Sequence, residues 1–498
     1  MLTAKQNIRL TRTGRGTVGG SLMRRYWQPV ALSEELAPAT GGRPVKPVRL
    51  LGEDLVLFRD EQGRIGLIDR HCCHRGADMA YGRLEGGGLR CSFHGWLYDV
   101  TGACLEQPAE PKGSDLHTRV RQPAYPCIER NGMVFAFLGD TAAPSLPDLD
   151  CLMAPESFSF SWKGWWDCNW LQALEVGIDP AHASFLHRFF HDEEDEVYGQ
   201  QFRGQTDSIA QTKVFRENDQ PEINVETTDY GLRLITTRDL GGGRKHVRVT
   251  SQIFPHGIVI PISATMNITQ WHVPIDDENC YWYTLFTDFA HPVDHAQMRA
   301  DRIKSCVLPD YRSIHSRADH WGYDPVEQRT RTYTGMGDDI NFHDQWAVES
   351  PGRIQDRTKE NLGTTDVGIM ACRRMLRKAL SAEEQGRPLS LEVGAPLETR
   401  PLAIDTIGPA EDWKTVWLDH ERARRARSPW LGSPTDEAAE CPCRVKAPVG
   451  RGLSSVTDSG PTIRPLPPRR YRGESTAARS KPSAFPSPTS TVSRGARR

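Results

Sequence analysis

Between residues 47 and 140, apolar and polar positions alternate in short runs separated by glycine-rich turns: PVRLLGEDLVLFRD from Pro47, GRIGLIDR from Gly63, GLRCSFHGWLYDV from Gly88 and MVFAFLG from Met133. Period-two alternation punctuated by Gly is the pattern of short strands, so this region reads as all-β. A loop rich in Pro and Asp (TAAPSLPDLDCLMAPES) follows and sets a boundary near residue 145. Beyond it, strand-like runs (GLRLITTR, HVRVTSQIF, IVIPISATMNITQW, CYWYTLFTDF) share the chain with helical stretches near 170 to 190, 294 to 306 and 366 to 382. That mixture predicts an α+β domain with helices packed on one antiparallel sheet. The expected layout is an N-terminal arm over 1–25, an all-β domain over 26–145, a second domain over 146–427 and a tail over 428–498.

Composition supports the last division. From Ser428 onward there are twelve Lys or Arg against five Asp or Glu, with abundant Pro, Ser, Thr and Gly and few bulky apolar residues. Such a segment buries too little to offset its ordering entropy, so a disordered basic appendage is expected. The whole chain carries a formal charge of only −2, which argues against a nucleic-acid or membrane-surface role and favours a small substrate. No apolar run of about 18 residues occurs, and the start MLTAKQNIRL lacks the apolar core of a signal peptide. A soluble, cytoplasmic protein is expected. In that compartment, cysteines grouped with histidines favour metal over disulfides.

Such a group stands in the first domain. Cys72-Cys73-His74 is followed after sixteen residues by Cys91-Ser92-Phe93-His94, a C-x-H and a C-x2-H knuckle, with glycines around both. Zinc is one occupant, but zinc knuckles usually pair like with like, whereas each of these holds one Cys and one His. A mixed pair suits a cluster with two Cys on one iron and two His on the other. About eighty residues later Asp179, His182 and His187 stand as D-x2-H-x4-H in EVGIDPAHASFLHRFF. Two histidines and a carboxylate form a facial triad for Fe(II). On an ideal helix, however, five residues at 100° each put the two rings about 140° apart, so the local geometry stays open. Several downstream acids are available as third ligand: Asp338, Asp339, Asp344, Glu349 and Asp356. Spacing does not choose among them. The match G-x-G-x-x-G at Gly14, Gly16 and Gly19 lacks a βαβ setting and reads as a turn, so no nicotinamide or flavin site is evident.

The text HCCHRGA…GLRCSFHGWLYD resembles the Rieske family, and together with the 179–187 element it resembles ring-hydroxylating oxygenase α subunits of the phthalate dioxygenase type over about residues 5 to 410. The resemblance implies that Cys72, His74, Cys91 and His94 bind a [2Fe-2S] cluster and that His182 and His187 bind a mononuclear non-haem Fe(II). It selects Asp344 as the third ligand, with Glu349 the acid that follows, and makes Asp179 a carboxylate bridging a Rieske histidine and an iron histidine. It also implies a head-to-tail homotrimer, and an outside reductase carrying flavin and a plant-type [2Fe-2S] centre. The implied activity is O2-dependent hydroxylation of a small aromatic substrate, phthalate-like or another aryl carboxylate, with O-demethylation or other monooxygenation as the alternative. A non-catalytic Rieske electron carrier or a zinc-stabilised binding protein is the alternative of another class.

Finer expectations attach to single residues. Ala77 and Phe93 stand where high-potential Rieske proteins carry two further cysteines, and Trp96 where a hydroxyl would bond a sulfide, so a low potential is expected. Cys73 is expected to be a spectator. Glu175, Asn169 and Gln172 are polar neighbours of the second site or structural hydrogen-bond partners, and Arg244 and Arg248 either hold a substrate carboxylate or are exposed strand charges.

Overall fold

A computed structural model describes residues 1–37, 43–191, 205–206, 209–389, 391, 397 and 399–431. The disordered tail expected over 428–498 lies outside the described residues from 432 onward. Ser428 is buried, and Trp430 donates from its indole to the Asp288 carbonyl at 3.0 Å, so the packed chain runs at least that far.

The first domain is built from three small antiparallel sheets. One holds Gln28–Leu32, Met133–Ala136 and Cys127–Arg130; another holds Val45–Leu50, Glu53–Arg59, Ile65–Asp69 and Ala124–Tyr125. The third, of Arg83–Glu85, Gly88–Arg90, Leu97–Tyr98 and Cys104–Glu106, surrounds the cysteine and histidine loops. The run from Gly88 to Val100, read as one strand, is two: residues 91–96 leave the sheet as a turn. The N-terminal arm is two short helices, Ala4–Thr11 and Val18–Arg24, with the Gly14–Gly19 stretch as the link between them.

The second domain is organised on a ten-stranded sheet in which Gly231–Gly241, Arg244–Ile253, Gly257–Pro261, Met266–Pro274, Cys280–Asp288 and Ser159–Trp166 are consecutive antiparallel neighbours. The run from Ile258 to Trp271 is two strands rather than one, because Ile262 to Thr265 make the turn. Ile404–Pro409 adds to the free half of Arg244–Ile253. Helices Trp170–Gly177, Ile340–Glu349 and Val367–Glu384 carry the residues that matter below.

The two domains share a core. One apolar cluster runs from Leu10 and Val30 through Phe135 and Trp162 to Leu285 and Leu376, while the loop-bearing sheet has a smaller cluster of its own around Phe58, Met79, Trp96 and Tyr98. At the seam, Glu35 accepts from Lys46 and, at 2.7 Å, from the buried Lys163, so two strands of different sheets meet on one carboxylate. No helix of the described residues is long and apolar enough to cross a membrane.

Candidate metal centres

The two loops of the first domain close in the same way. The Cys72 amide donates to Ala77 and the Gly76 amide to Cys72, both at 2.8 Å; the Cys91 amide donates to Trp96 at 2.8 Å and the Gly95 amide to Cys91 at 2.9 Å. Gly76 and Gly95 have φ of 75° and 77°, the left-handed conformation that glycine adopts without a Cβ clash and that each tight return needs. The equivalent closures bring Cys72 beside Cys91 and His74 beside His94, with ring centroids 4.4 Å apart. Burial and the Cys72 thiol next to it push Cys91 up. Nδ1 of His94 is buried with no hydrogen-bond partner. A buried imidazole nitrogen left unpaired beside two thiols and a second imidazole is the donor set of a mixed Cys/His cluster, so the residues fit a Rieske [2Fe-2S] centre.

Neighbouring side chains fix these ligands. Trp96 stacks on the His74 ring, 4.2 Å away and 5° from parallel. The Tyr98 hydroxyl lies 3.2 Å from Cys72 Sγ and 3.3 Å from Cys73 Sγ. Two sequence expectations change here. A hydroxyl absent at position 96 is present from position 98, on a cysteine sulfur, and Cys73 shares that hydroxyl rather than standing apart.

The second site begins at a helix end. Asn169 caps Trp170–Gly177 by accepting from the Leu171 amide at 3.1 Å, and the helix stops at Gly177, since Asp179 precedes Pro180 and that position disfavours helical geometry. The helical stretch expected to reach 190 therefore ends thirteen residues early. His182 opens a one-turn 3-10 helix, His182–Ser184, and His187 lies past it. The 140° separation of a continuous helix does not arise, and the two Nε2 atoms meet at 3.2 Å.

Asp344 comes to them on the helix Ile340–Glu349, with Oδ1 3.3 Å from His187 Nε2 and 3.9 Å from His182 Nε2. Hydrogen bonds on the far side of each ring assign the tautomers. His182 Nδ1 donates to the Asp179 carbonyl. His343 Nε2 donates to Gly337 O at 3.0 Å, so His343 Nδ1 is a lone pair and accepts from His187 Nδ1 at 3.3 Å. Burial pushes His343 down to about 4 and so keeps it neutral. Both ligand rings therefore turn an Nε2 lone pair toward a carboxylate oxygen that is itself buried with no hydrogen-bond donor. Three converging lone pairs without a proton among them suit a cation. Donor atoms about 2.1 Å from one divalent ion and at right angles to each other lie about 3 Å apart, close to the spacings found. The ligand atoms of these three residues all lie within 4.8 Å of one another, as binding of a single ion needs.

The other expected residues are placed as follows. Asp179 holds His182 through its main chain, while its carboxylate accepts from the Ala181 amide at 2.8 Å and lies 4.0 Å from His182 Nδ1. Gln172 bonds Val348 O and Gly352 O, and Glu175 is buried between Arg357 and Arg373, so both are structural. Of the alternative third ligands, Asp338 pairs with Arg331, Asp339 caps Ile340–Glu349, Glu349 accepts from Trp321 and the Asp167 amide, and Asp356 bonds Thr358. Arg244 is exposed at a strand end. Arg248 reaches the site but is held by Asp405 at 2.6 Å and by Pro261 O at 2.9 Å. His343, missed from the sequence, precedes Asp344 by one residue, and nothing in its spacing distinguishes it.

Two cavities adjoin His182. The larger, 880 Å³ and open, includes His182 and Asp179 but neither His187 nor Asp344. The smaller, 140 Å³, is bounded by all three triad residues together with Phe215, Leu234, Ile260, Ile262, Ile268 and Arg248. The smaller one is the candidate reaction pocket, since a reacting molecule would meet an ion held by these residues from the side where they converge.

Comparisons with known proteins match the stretches of chain that carry these residues. Residues 26–126 match the Rieske [2Fe-2S] domain and residues 158–424 the LigXa C-terminal domain like family. The phthalate 4,5-dioxygenase oxygenase subunit of Pseudomonas putida is 32% identical over 88% of this chain and 98% of its own length. The 5,5'-dehydrodivanillate O-demethylase oxygenase subunit of a Sphingobium species is 31% identical over 82% of this chain and 87% of its own. In fold, the chain is similar to dicamba monooxygenase bound to dicamba, with a TM-score of 0.50 at 18% identity over 73% of this chain and 99% of that one. With a Rieske domain, a matching catalytic domain and relatives at this identity over most of its length, the chain belongs to the Rieske non-haem iron ring-hydroxylating oxygenases, as an α subunit of the phthalate 4,5-dioxygenase type.

Proposed function

We propose that this oxygenase hydroxylates a single-ring aromatic substrate, with the [2Fe-2S] cluster on Cys72, His74, Cys91 and His94 and the mononuclear iron on His182, His187 and Asp344. The observation that carries the reading is the meeting of two Nε2 lone pairs and an unpaired carboxylate oxygen at one end of an apolar cavity. When bound, the iron supplies O2 activation and the cluster the electrons for it. The chain's own part is positioning. Phe215, Leu234 and the isoleucines exclude water and hold a ring beside the triad; a dry cavity of roughly 150 Å³ is known to take one benzene, so 140 Å³ suits one ring and not two fused ones. Asp179 and His343 keep both imidazoles in the tautomer that presents Nε2.

Aryl carboxylates fit through Arg248 on the pocket wall. A second reading, O-demethylation of a methoxylated ring, is favoured by the pairing of that same guanidinium with Asp405, which leaves the wall better matched to uncharged substituents. Labelled O2 separates them: two labelled oxygens in a cis-diol mark ring dioxygenation, whereas a phenol without label, released with formaldehyde, marks demethylation because the labelled oxygens leave in the formaldehyde and in water.

The assembly belongs to the same proposal. Tyr81 and Phe93 are exposed beside the cluster loops, and Phe185, Tyr323 and Tyr333 are exposed around the 880 Å³ groove that Asp179 borders. A tip of one copy entering the groove of the next is a heterologous contact that closes as a head-to-tail homotrimer, with Asp179 between a Rieske histidine and His182. A separate reductase with flavin and [2Fe-2S] supplies the electrons. The cysteines among the described residues are unpaired, which suits the cytoplasm. The direct test is His182→Ala: it is expected to abolish turnover and iron binding while leaving the reduced-cluster EPR signal intact, and retained turnover would sink the iron site.

A further inference from the structure

Arg238 lies in the strand Gly231–Gly241, opposite His246, and is 1% exposed. It has no ion pair among the described residues, and its Nε and Nη1 are buried with no acceptor at all. Phe215 covers the guanidinium, 4.6 Å from its ring centroid, and burial, with Arg248 adding to it, pushes the group down to about 10. A buried cation whose opposite charge, Asp405, already bonds Arg248 and His246 is a costly thing to fold, and a hydrophobic side chain of the same volume is usually no worse for stability. Packing alone therefore gives no reason for an arginine here.

Its one good hydrogen bond gives a reason. Nη2 donates to the Pro180 carbonyl at 3.0 Å and lies 3.5 Å from Ser184 Oγ. Pro180 and Ser184 bracket the turn that presents His182. The other bonds on this turn are to its neighbours in sequence: Asp179 with Ala181 and His182, the Ala181 and His182 carbonyls with the amides of Ser184, Phe185 and Leu186, and Arg188, itself paired with Asp219, with the Ser184 carbonyl at 2.8 Å. Local bonds fix the turn's shape but not where it sits relative to Asp344, which arrives on another helix. Arg238 ties the start of the turn, through Pro180 O, to Gly231–Gly241, the strand next to the edge of the sheet. We propose that Arg238 is a positioning residue for the mononuclear centre, holding the 180–184 turn against the sheet so that His182 Nε2 stays aligned with His187 and Asp344.

This rests on the iron assignment made above, and the test keeps the two apart. Full-length wild type, Arg238→Met, Arg238→Lys and His182→Ala are stripped of mononuclear iron and titrated anaerobically with Fe(II) against a chromogenic chelator, with thermal unfolding and the Rieske EPR signal recorded on the same samples. Arg238→Met is expected to weaken Fe(II) binding about 10- to 100-fold, the range for groups that orient metal ligands, with the cluster signal unchanged and the melting temperature equal or higher. Arg238→Lys, which keeps one charged donor, is expected to lose less. Wild-type affinity in Arg238→Met, or in Arg238→Leu should the former not fold, overturns the proposal while His182→Ala has lost iron. Retention of iron by His182→Ala overturns the iron assignment instead.

Discussion

Replacing Tyr98 with Phe should lower the reduction potential of the cluster by about 40 mV. The hydroxyl is 3.2 Å from Cys72 Sγ, and the ring is fully buried, so Phe keeps the packing and removes only the donor. A hydrogen bond to a charged acceptor is worth about twice one to a neutral acceptor, and net values run from about 1 kcal/mol to a charged-group range of about 1.5–3 kcal/mol. One added electron makes the cysteine sulfur a stronger acceptor, so the bond favours the reduced state by about 1 kcal/mol. For a one-electron couple 59 mV corresponds to a tenfold change in the equilibrium constant, which turns that difference into about 40 mV. Cys73 makes the test sharper. Its sulfur is 3.3 Å from the same oxygen, which has a single proton to give. If Cys73 donates to the oxygen, the hydroxyl proton is committed to Cys72, and Cys73→Ala should shift the potential the same way by a smaller amount. Potentiometric titration followed by circular dichroism, on protein whose cluster content is first matched, reads both variants. A potential that is unchanged or higher in Tyr98→Phe refutes the assignment of the proton to the cluster side.

Other expectations follow from the packing. Glu175→Ala leaves Arg357 and Arg373 without their shared buried carboxylate and should cost about 3–5 kcal/mol in urea unfolding. Burial raises the Glu175 carboxyl, but the two guanidiniums outweigh it and hold the folded-state value below the ordinary 4.5. Its contribution is therefore complete above pH 4.5 and is lost as the pH falls below that, and Glu175→Gln should flatten this acid limb of the stability profile. Gly88→Ala would set a Cβ 2.2 Å from the Tyr98 carbonyl, so the hairpin that carries Cys91 must open, and acid-labile sulfide per chain should fall while mononuclear iron is retained. Ile268→Ala widens the reaction pocket at a stability cost of about 2–5 kcal/mol; oxygen-uptake screening should then find fused two-ring substrates that the wild type rejects.

The parts of both sites that lie close together along the chain were legible in the sequence. Cys72 to His94 and Asp179 to His187 each fit within a short window, so residue type and spacing were enough to find them. Asp344 was legible only through the family resemblance and not from spacing, because its approach to His187 is made by the sheet and by the packing of Ile340–Glu349, a helix whose buried face includes His343, Gln345 and Glu349 and so carries little apolar periodicity. The strand Ser159–Trp166 hid for a related reason: Lys163 stands in its middle, and only the fold brings Glu35 to it. The end of the helix at Gly177 was implicit in Pro180, yet the apolar run beyond it continued the helical pattern. Tyr98 and Arg238 act through atoms that spacing cannot see, a hydroxyl and one guanidinium nitrogen.

The spread of the ligands along the chain also sets an order of assembly. The cluster loops close over about twenty residues, and their own backbone bonds complete each return, so a nascent chain can form this site soon after the first domain emerges. The iron site needs Asp344, more than 150 residues beyond His187, and with it most of the ten-stranded sheet. Chain growth thus supplies all four cluster ligands before the last iron ligand, so a chain stopped ahead of Ile340 carries every residue for the cluster and lacks the carboxylate for the iron.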